Sequence, residues 1–141
     1  MADPLSIIGA VASGLQFIQF GTKVIYQIKT RHTSVTGQRG YNLFIKKSIQ
    51  ELENLLRKVE TTSAGLERAP QSGSVEEKIV GLCHKCRFIN EELKEAIKVF
   101  ENRSYMHNMV SSSAQSLVKD VEAKLRITQD QLVMALLVAL W

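Results

Sequence analysis

Between Asp3 and Lys23 the chain carries 19 residues without a charge, PLSIIGAVASGLQFIQFGT, from Pro4 to Thr22. A run of this length has few destinations, because ~20 apolar residues form a helix long enough to span a bilayer. Its alternative is the interior of a bundle. Asp3 suits the N-cap, where its carboxylate accepts from the N–H groups of the first turn, and Pro4 then falls at N1, where a missing N–H costs nothing. At 100° per residue, Ile7, Ile8, Val11, Leu15 and Ile18 form an apolar stripe. Ser6, Ala10, Ser13, Gly14 and Gly21 form a stripe of small residues, and Gln16, Gln19 and Lys23 a polar edge. Glycines 9, 14 and 21 lie inside this helix; at roughly 0.8–1 kcal/mol each relative to Ala, their presence calls for a compensating close approach. Ala10/Gly14 and Gly9/Ser13 are small-xxx-small pairs that permit one.

Four readings of this helix compete. Two glutamines, two serines and three glycines make it a poor permanent transmembrane span. A secretory signal needs a positive leading region, and here only Asp3 precedes the apolar run. The remaining two are a buried helix of a bundle, and a helix buried at rest that enters a membrane when released.

Charge supports interest in a membrane face. Residues 1 to 50 hold six basic side chains (Lys23, Lys29, Arg31, Arg39, Lys46 and Lys47) against one acid, whereas residues 51 to 141 hold 12 basic and 13 acidic. The whole net charge of +4 therefore comes from the first third. A basic cluster after an apolar helix suits anionic lipid, at ~1 kcal/mol per basic residue near the surface; the competing reading is a solvated loop. At 6% aromatic residues the chain is poor in stacking groups, which argues against single-stranded nucleic acid. The positive charge lies on a loop and helix ends rather than on a recognition helix, so no nucleic-acid partner is expected.

The rest reads as helix. With prolines only at 4 and 70, long stretches are without breakers. An all-α antiparallel bundle of four main helices is expected, in one domain over residues 1–141, with helices at about 4–29, 41–61, 75–101 and 113–140. In the second, Ile45, Ile49, Leu52, Leu56 and Val59 recur at three-four spacing. Ser74 and Glu77 make a capping box for the third, whose seam Ile79, Leu82, Cys86, Ile89, Leu93, Ala96 and Phe100 has the geometry of left-handed bundle packing. Its charged residues Glu91, Glu92, Lys94, Glu95 and Lys98 read as an exposed face of i,i+3 and i,i+4 pairs. Ser112 with Gln115 can cap the fourth helix, which carries Leu117, Val121, Leu125 and Leu132 on one side. Its last ten residues, LVMALLVALW, are wholly apolar and too short to span a bilayer; burial on most sides is expected for them. An end at Trp141 without a polar tail suggests that more of the protein follows.

No catalytic pattern is present: there is no Gly-rich phosphate loop, G-x-S-x-G or H-E-x-x-H. Cys83 and Cys86 have the spacing of half a zinc site without a second ligand pair, and Cys86 lies on a core seam. An enzyme, a metal site and a cofactor are therefore not expected, and the two thiols fit a reducing, cytosolic compartment.

The opening M-A-D-P-L-S-I followed by G-A-V-A-S-G-L, with the helix running on to Val24-Ile25, resembles the N-terminal domains of fungal STAND proteins, the HeLo and HeLo-like helical bundles. An L-x-x-L-L helix at 52–56, a Cys-containing third helix and a last helix ending in L-x-x-A-L agree in a general way. The family's Trp-containing basic stretch before the last helix has no counterpart in NRSYMHNM. The resemblance implies a cell-death or heterokaryon-incompatibility domain of a fungal NOD-like receptor, followed in the same chain by a nucleotide-binding module. It implies a resting cytoplasmic state, then homo-oligomerisation and insertion of the first helix into the plasma membrane. Carried over, the membrane-targeting residues are Leu5, Ile7, Ile8, Gly9, Val11, Gly14, Leu15, Phe17, Ile18 and Phe20, with Gly9 and Gly14 at the small-residue positions. A signalling module that docks on protein and never touches lipid is the other reading.

Overall fold

A computed structural model describes residues 4–31, 38–66, 74–103 and 112–141. They form four helices and no strand: α1 (Pro4–Arg31), α2 (Gln38–Ala64), α3 (Val75–Arg103) and α4 (Ser112–Leu140). Each lies within a few residues of the range its periodicity predicts. α2 runs further than expected because its polar end is compatible with helix. The hydroxyls of Thr61, Thr62 and Ser63 donate back to the carbonyls of Arg57, Lys58 and Glu60 at 2.9, 3.0 and 3.3 Å. The Leu66 N–H then closes a turn onto the Ser63 carbonyl at 2.9 Å, which brings Leu66 into the core. At the start of α3 the Glu77 N–H donates to Ser74 Oγ at 3.2 Å, the cap that the S-x-x-E pattern predicts. The caps expected from Asp3 and from Ser112 lie outside the described residues or side chains.

The helices run up-down-up-down. Ser13 and Gln16 of α1 meet Thr62 and Lys58 of α2; Glu53 and Glu60 of α2 meet Lys94 and Arg87 of α3. Glu92 of α3 meets Lys124 of α4, and Lys29 of α1 meets Glu122. Neighbours are therefore antiparallel. α1 and α3, parallel to one another, each pack against all three other helices, whereas α2 and α4 do not touch among the described residues. The cross-section is a diamond with α1 and α3 on its short diagonal.

Gly21 allows that short diagonal, and Gly14 allows α1 to approach α4 along one edge. A Cβ at position 21 would lie 3.0 Å from Leu93 Cδ1 of α3 and 3.2 Å from Leu125 Cδ2 of α4. At position 14 it would lie 3.1 Å from Leu132 Cδ1 of α4. Gly9 is different: nothing stands within 4 Å of its would-be Cβ, so the close approach expected there is absent.

Facing three helices, α1 buries a wide arc. Ile7, Ala10, Val11, Phe17, Ile18, Val24, Ile25 and Ile28 join one core with the seams of α2, α3 and α4. That arc merges the small stripe with Ile7, Val11 and Ile18 of the apolar stripe, whereas Ile8 is exposed and Leu15 half-buried. Ile79, Leu82, Cys86, Ile89, Leu93 and Ala96 are all buried, as their spacing predicts; the Phe100 side chain lies outside the described residues.

The end of α4 departs from expectation. Of its last ten residues only Leu132 and Ala135 are buried. Val133, Met134, Leu137, Val138, Leu140 and Trp141 are exposed. As an acute-corner helix of the diamond, α4 meets only α1 and α3, and two neighbours cannot cover a helix that is apolar all round.

Candidate functional site

α1 is the one helix among those described that is long and apolar enough to cross a membrane, over Pro4–Thr30. Its 27 residues reach about 40 Å, against a hydrocarbon core of ~30 Å. Within its most apolar window 44% is buried in the bundle. Of the residues that the resemblance marks for membrane targeting, Ile7, Val11, Gly14, Phe17 and Ile18 face the core, and Gly9, Leu15 and Phe20 lie at its edge. Leu5 and Ile8 face outward, at 79% and 39% exposure.

Polar contacts between described residues help to hold α1 beside its neighbours. The Ser13 hydroxyl lies 2.6 Å from that of Thr62, Lys58 donates to Gln16 Oε1 at 3.0 Å, and Lys29 pairs with Glu122 at 2.8 Å. The last two lie at the surface, where such contacts contribute ~1 kcal/mol or less; apolar burial does most of the holding.

Because α1 and α4 are antiparallel with Gly14 against Leu132, Leu5 and Ile8 stand at the end of the molecule where α4 finishes. The exposed start of α1 and the exposed Leu137, Leu140 and Trp141 thus share one apolar end. Sequence reasoning missed this feature by assigning LVMALLVALW to the interior; the signal was present in its all-round apolarity.

The structure describes four of the six basic side chains. Lys23 and Lys47 line a shallow groove of about 480 Å³ between α1 and α2, beside Phe20, Phe44 and Glu51. Lys46 is exposed on α2. Lys29 is occupied by Glu122, and the side chains of Arg31 and Arg39 lie outside the described residues.

On α3 several charges expected to form an exposed face instead join helices. Glu92 pairs with Lys124 of α4, and Lys94 with Glu53 of α2. The Lys94 ammonium and the carboxylate it bonds reinforce each other: the hydrogen bond from Lys94 leads in holding Glu53 below its usual range, and that to Glu53 leads in raising Lys94. Asn90, fully buried, donates from Nδ2 to Glu53 at 3.4 Å while its Oδ1 has no partner. Sequence reading did not single out this interhelical cluster. Cys83 and Cys86 are buried and reduced. Burial foremost, and Cys83 beside it, push the Cys86 thiol up to about 12, far from the range of a reactive thiolate. Among the described residues no three His, Cys, Asp or Glu side chains converge as metal ligands.

Compared with family models, with curated proteins and with solved structures, the chain matches none. What its geometry defines is an up-down-up-down four-helix bundle with an apolar N-terminal helix on the short diagonal and an uncovered apolar end.

Proposed function

We propose that this bundle is a membrane-engaging, oligomerising signalling domain, at rest in the cytoplasm, whose α1 enters the plasma membrane on activation. The observation that carries this reading is the combination in α1 of membrane-spanning length and apolarity with outward-facing Leu5 and Ile8 at the molecule's apolar end. The cell-death role, the fungal receptor and its nucleotide-binding module come from the resemblance of the first 25 residues alone.

Energetics dictate how α1 could leave. Val11, Phe17, Ile18, Val24, Ile25 and Ile28 are essentially fully buried. Exposing six such side chains to water would cost on the order of 9–18 kcal/mol at ~1.5–3 each, as much as the ~5–15 kcal/mol that holds a whole domain together. Release into water therefore unfolds the bundle. Transfer into hydrocarbon does not incur that cost, and contact of the apolar end with lipid is the natural first step. Gly14, no longer against Leu132 of α4, and Ala10 one turn before it then offer copies of α1 a close approach in a medium where packing rather than hydrophobicity drives association.

The test is a tether. Ser13 and Thr62 touch across the α1–α2 interface, so Ser13→Cys with Thr62→Cys can lock α1 in place while the native cysteines stay buried. Reduced protein should release dye from anionic vesicles and oxidised protein should not. Equal leakage in both states would show that α1 need not leave. No leakage in either would favour the protein-docking module, which the uncovered face of α4 also supports.

A further inference from the structure

The outer side of the α3–α4 interface, away from α1, is a groove. Its upper half encloses about 530 Å³ over Val75, Gly81 and Leu82 of α3 and Met134, Ala135 and Val138 of α4. Gly81 opens it, since no atom stands within 4 Å of its would-be Cβ. The groove continues past Lys85 into a second hollow of about 300 Å³ beside Phe88 and Ile127, which are 70% and 53% exposed. The Glu92–Lys124 pair borders that second hollow. On the α4 side Ile127, Gln131, Met134, Val138 and Trp141 succeed one another at four-three spacing, which is the pattern of a helix seam with a missing partner.

The charge along the upper half is one-sided. Lys78 and Lys85 line it from α3, Gln131 is the polar residue on the α4 side, and no acid lines it. The lysines are seven residues apart, about 10.5 Å along the axis, and neither has an ion-pair partner among the described residues. Seven residues is the repeat at which a helix lying alongside presents equivalent flanking positions.

We propose that this groove docks an amphipathic helix of about four to five turns, its apolar face on Leu82, Phe88, Met134 and Val138. The flank facing α3 carries acidic residues seven apart that pair with Lys78 and Lys85, and the flank facing α4 is polar without charge. Helix-in-groove binding of this kind rests on apolar anchors for affinity and on flanking charge for the choice of partner and its register. The groove runs along the side of the bundle and meets the apolar end only at Trp141, and its use does not depend on release of α1.

The probe is a fluorescent 18-residue helical peptide with Leu at heptad positions a and d, Glu at g and Gln at e, read by anisotropy. An otherwise identical peptide with Lys at g is its control. Saturable binding of the Glu peptide is expected, with the Lys peptide roughly tenfold weaker. Lys78→Glu with Lys85→Glu should reverse that preference. Gly81→Leu fills the groove where nothing obstructs the new side chain and replaces glycine by a better helix former. It should abolish binding while its thermal midpoint is unchanged or higher. Equal binding of the two peptides, no binding of either, or unaltered binding by folded Gly81→Leu would overturn the proposal. So would sedimentation showing a wild-type dimer that Gly81→Leu converts to monomer, because the occupant would then be a second copy of this chain.

Discussion

Glycine-to-alanine substitution along α1 measures its packing on α3 and α4 directly. In a helix interior, Gly→Ala gains roughly 0.8–1 kcal/mol from backbone propensity alone. At Gly9 the added methyl meets nothing within 4 Å, so that gain should appear nearly whole. At Gly14 it meets one side chain, Leu132, with Cδ1 at 3.1 Å and Cδ2 at 3.5 Å, and Leu132 must rotate slightly within its packing. At Gly21 it meets Leu93 at 3.0 Å and Leu125 at 3.2 Å, from two different helices. These leucines are 0% and 1% exposed, so neither can yield toward solvent. Overpacking of this sort costs ~1–3 kcal/mol, which cancels or exceeds the propensity gain and leaves Gly21→Ala neutral to ~2 kcal/mol destabilising. Urea melts of the three variants should rank Gly9→Ala above Gly14→Ala above Gly21→Ala, with the extremes ~1–3 kcal/mol apart. Equal stabilisation at 9 and 21 would refute the close packing of α1 on α3 and α4.

Leu93→Ala, at the centre of the same contact, should cost ~2–5 kcal/mol in denaturant melts; less than about half a kcal/mol would displace Leu93 from the core. Glu53 has a lowered folded-state pKa, so its contribution to stability is complete above its ordinary value of 4.5 and disappears as pH falls through the depressed folded value. Lys94, raised above 10.5, contributes fully below that pH and less as pH rises through its folded value. Melts of Lys94→Met against wild type should show the difference between them shrinking at both extremes, and a constant difference would exclude the coupling. Cys86 in the native state should react with a thiol reagent far more slowly than after unfolding, and equal rates would mean that α3 does not bury it. If the α1–α2 groove contacts anionic vesicles, Lys23→Glu with Lys47→Glu should weaken binding most at low salt, since exposed charge is screened over ~8–10 Å near physiological ionic strength.

Periodicity carried the reading of α3 because its seam faces partners all along its length. Every described position from Ile79 to Ala96 on that seam is buried. α1 was harder to read. Its arc faces three helices, so neither of the two stripes drawn on its helical wheel was the buried face, and Phe17, on neither stripe, is fully buried. The Glu53–Asn90–Lys94 cluster was invisible for a related reason: a pattern within α3 accounts for Lys94 with Glu91 at i,i+3, yet α2 supplies the closer carboxylate.

The sequence by itself determined the helices, their approximate ends, the seam of α3 and the uncharged stretch Pro4 to Thr22 of α1, because spacing, capping residues and breakers act within a few residues of one another. Tertiary structure alone decided which glycines admit a neighbour, since Gly9 and Gly21 have the same propensity and differ only in what stands opposite. It also decided that the apolar end of α4 remains uncovered. Hydrophobicity states what a helix would gain from burial, but the number of neighbours able to cover it is set by the arrangement of all four.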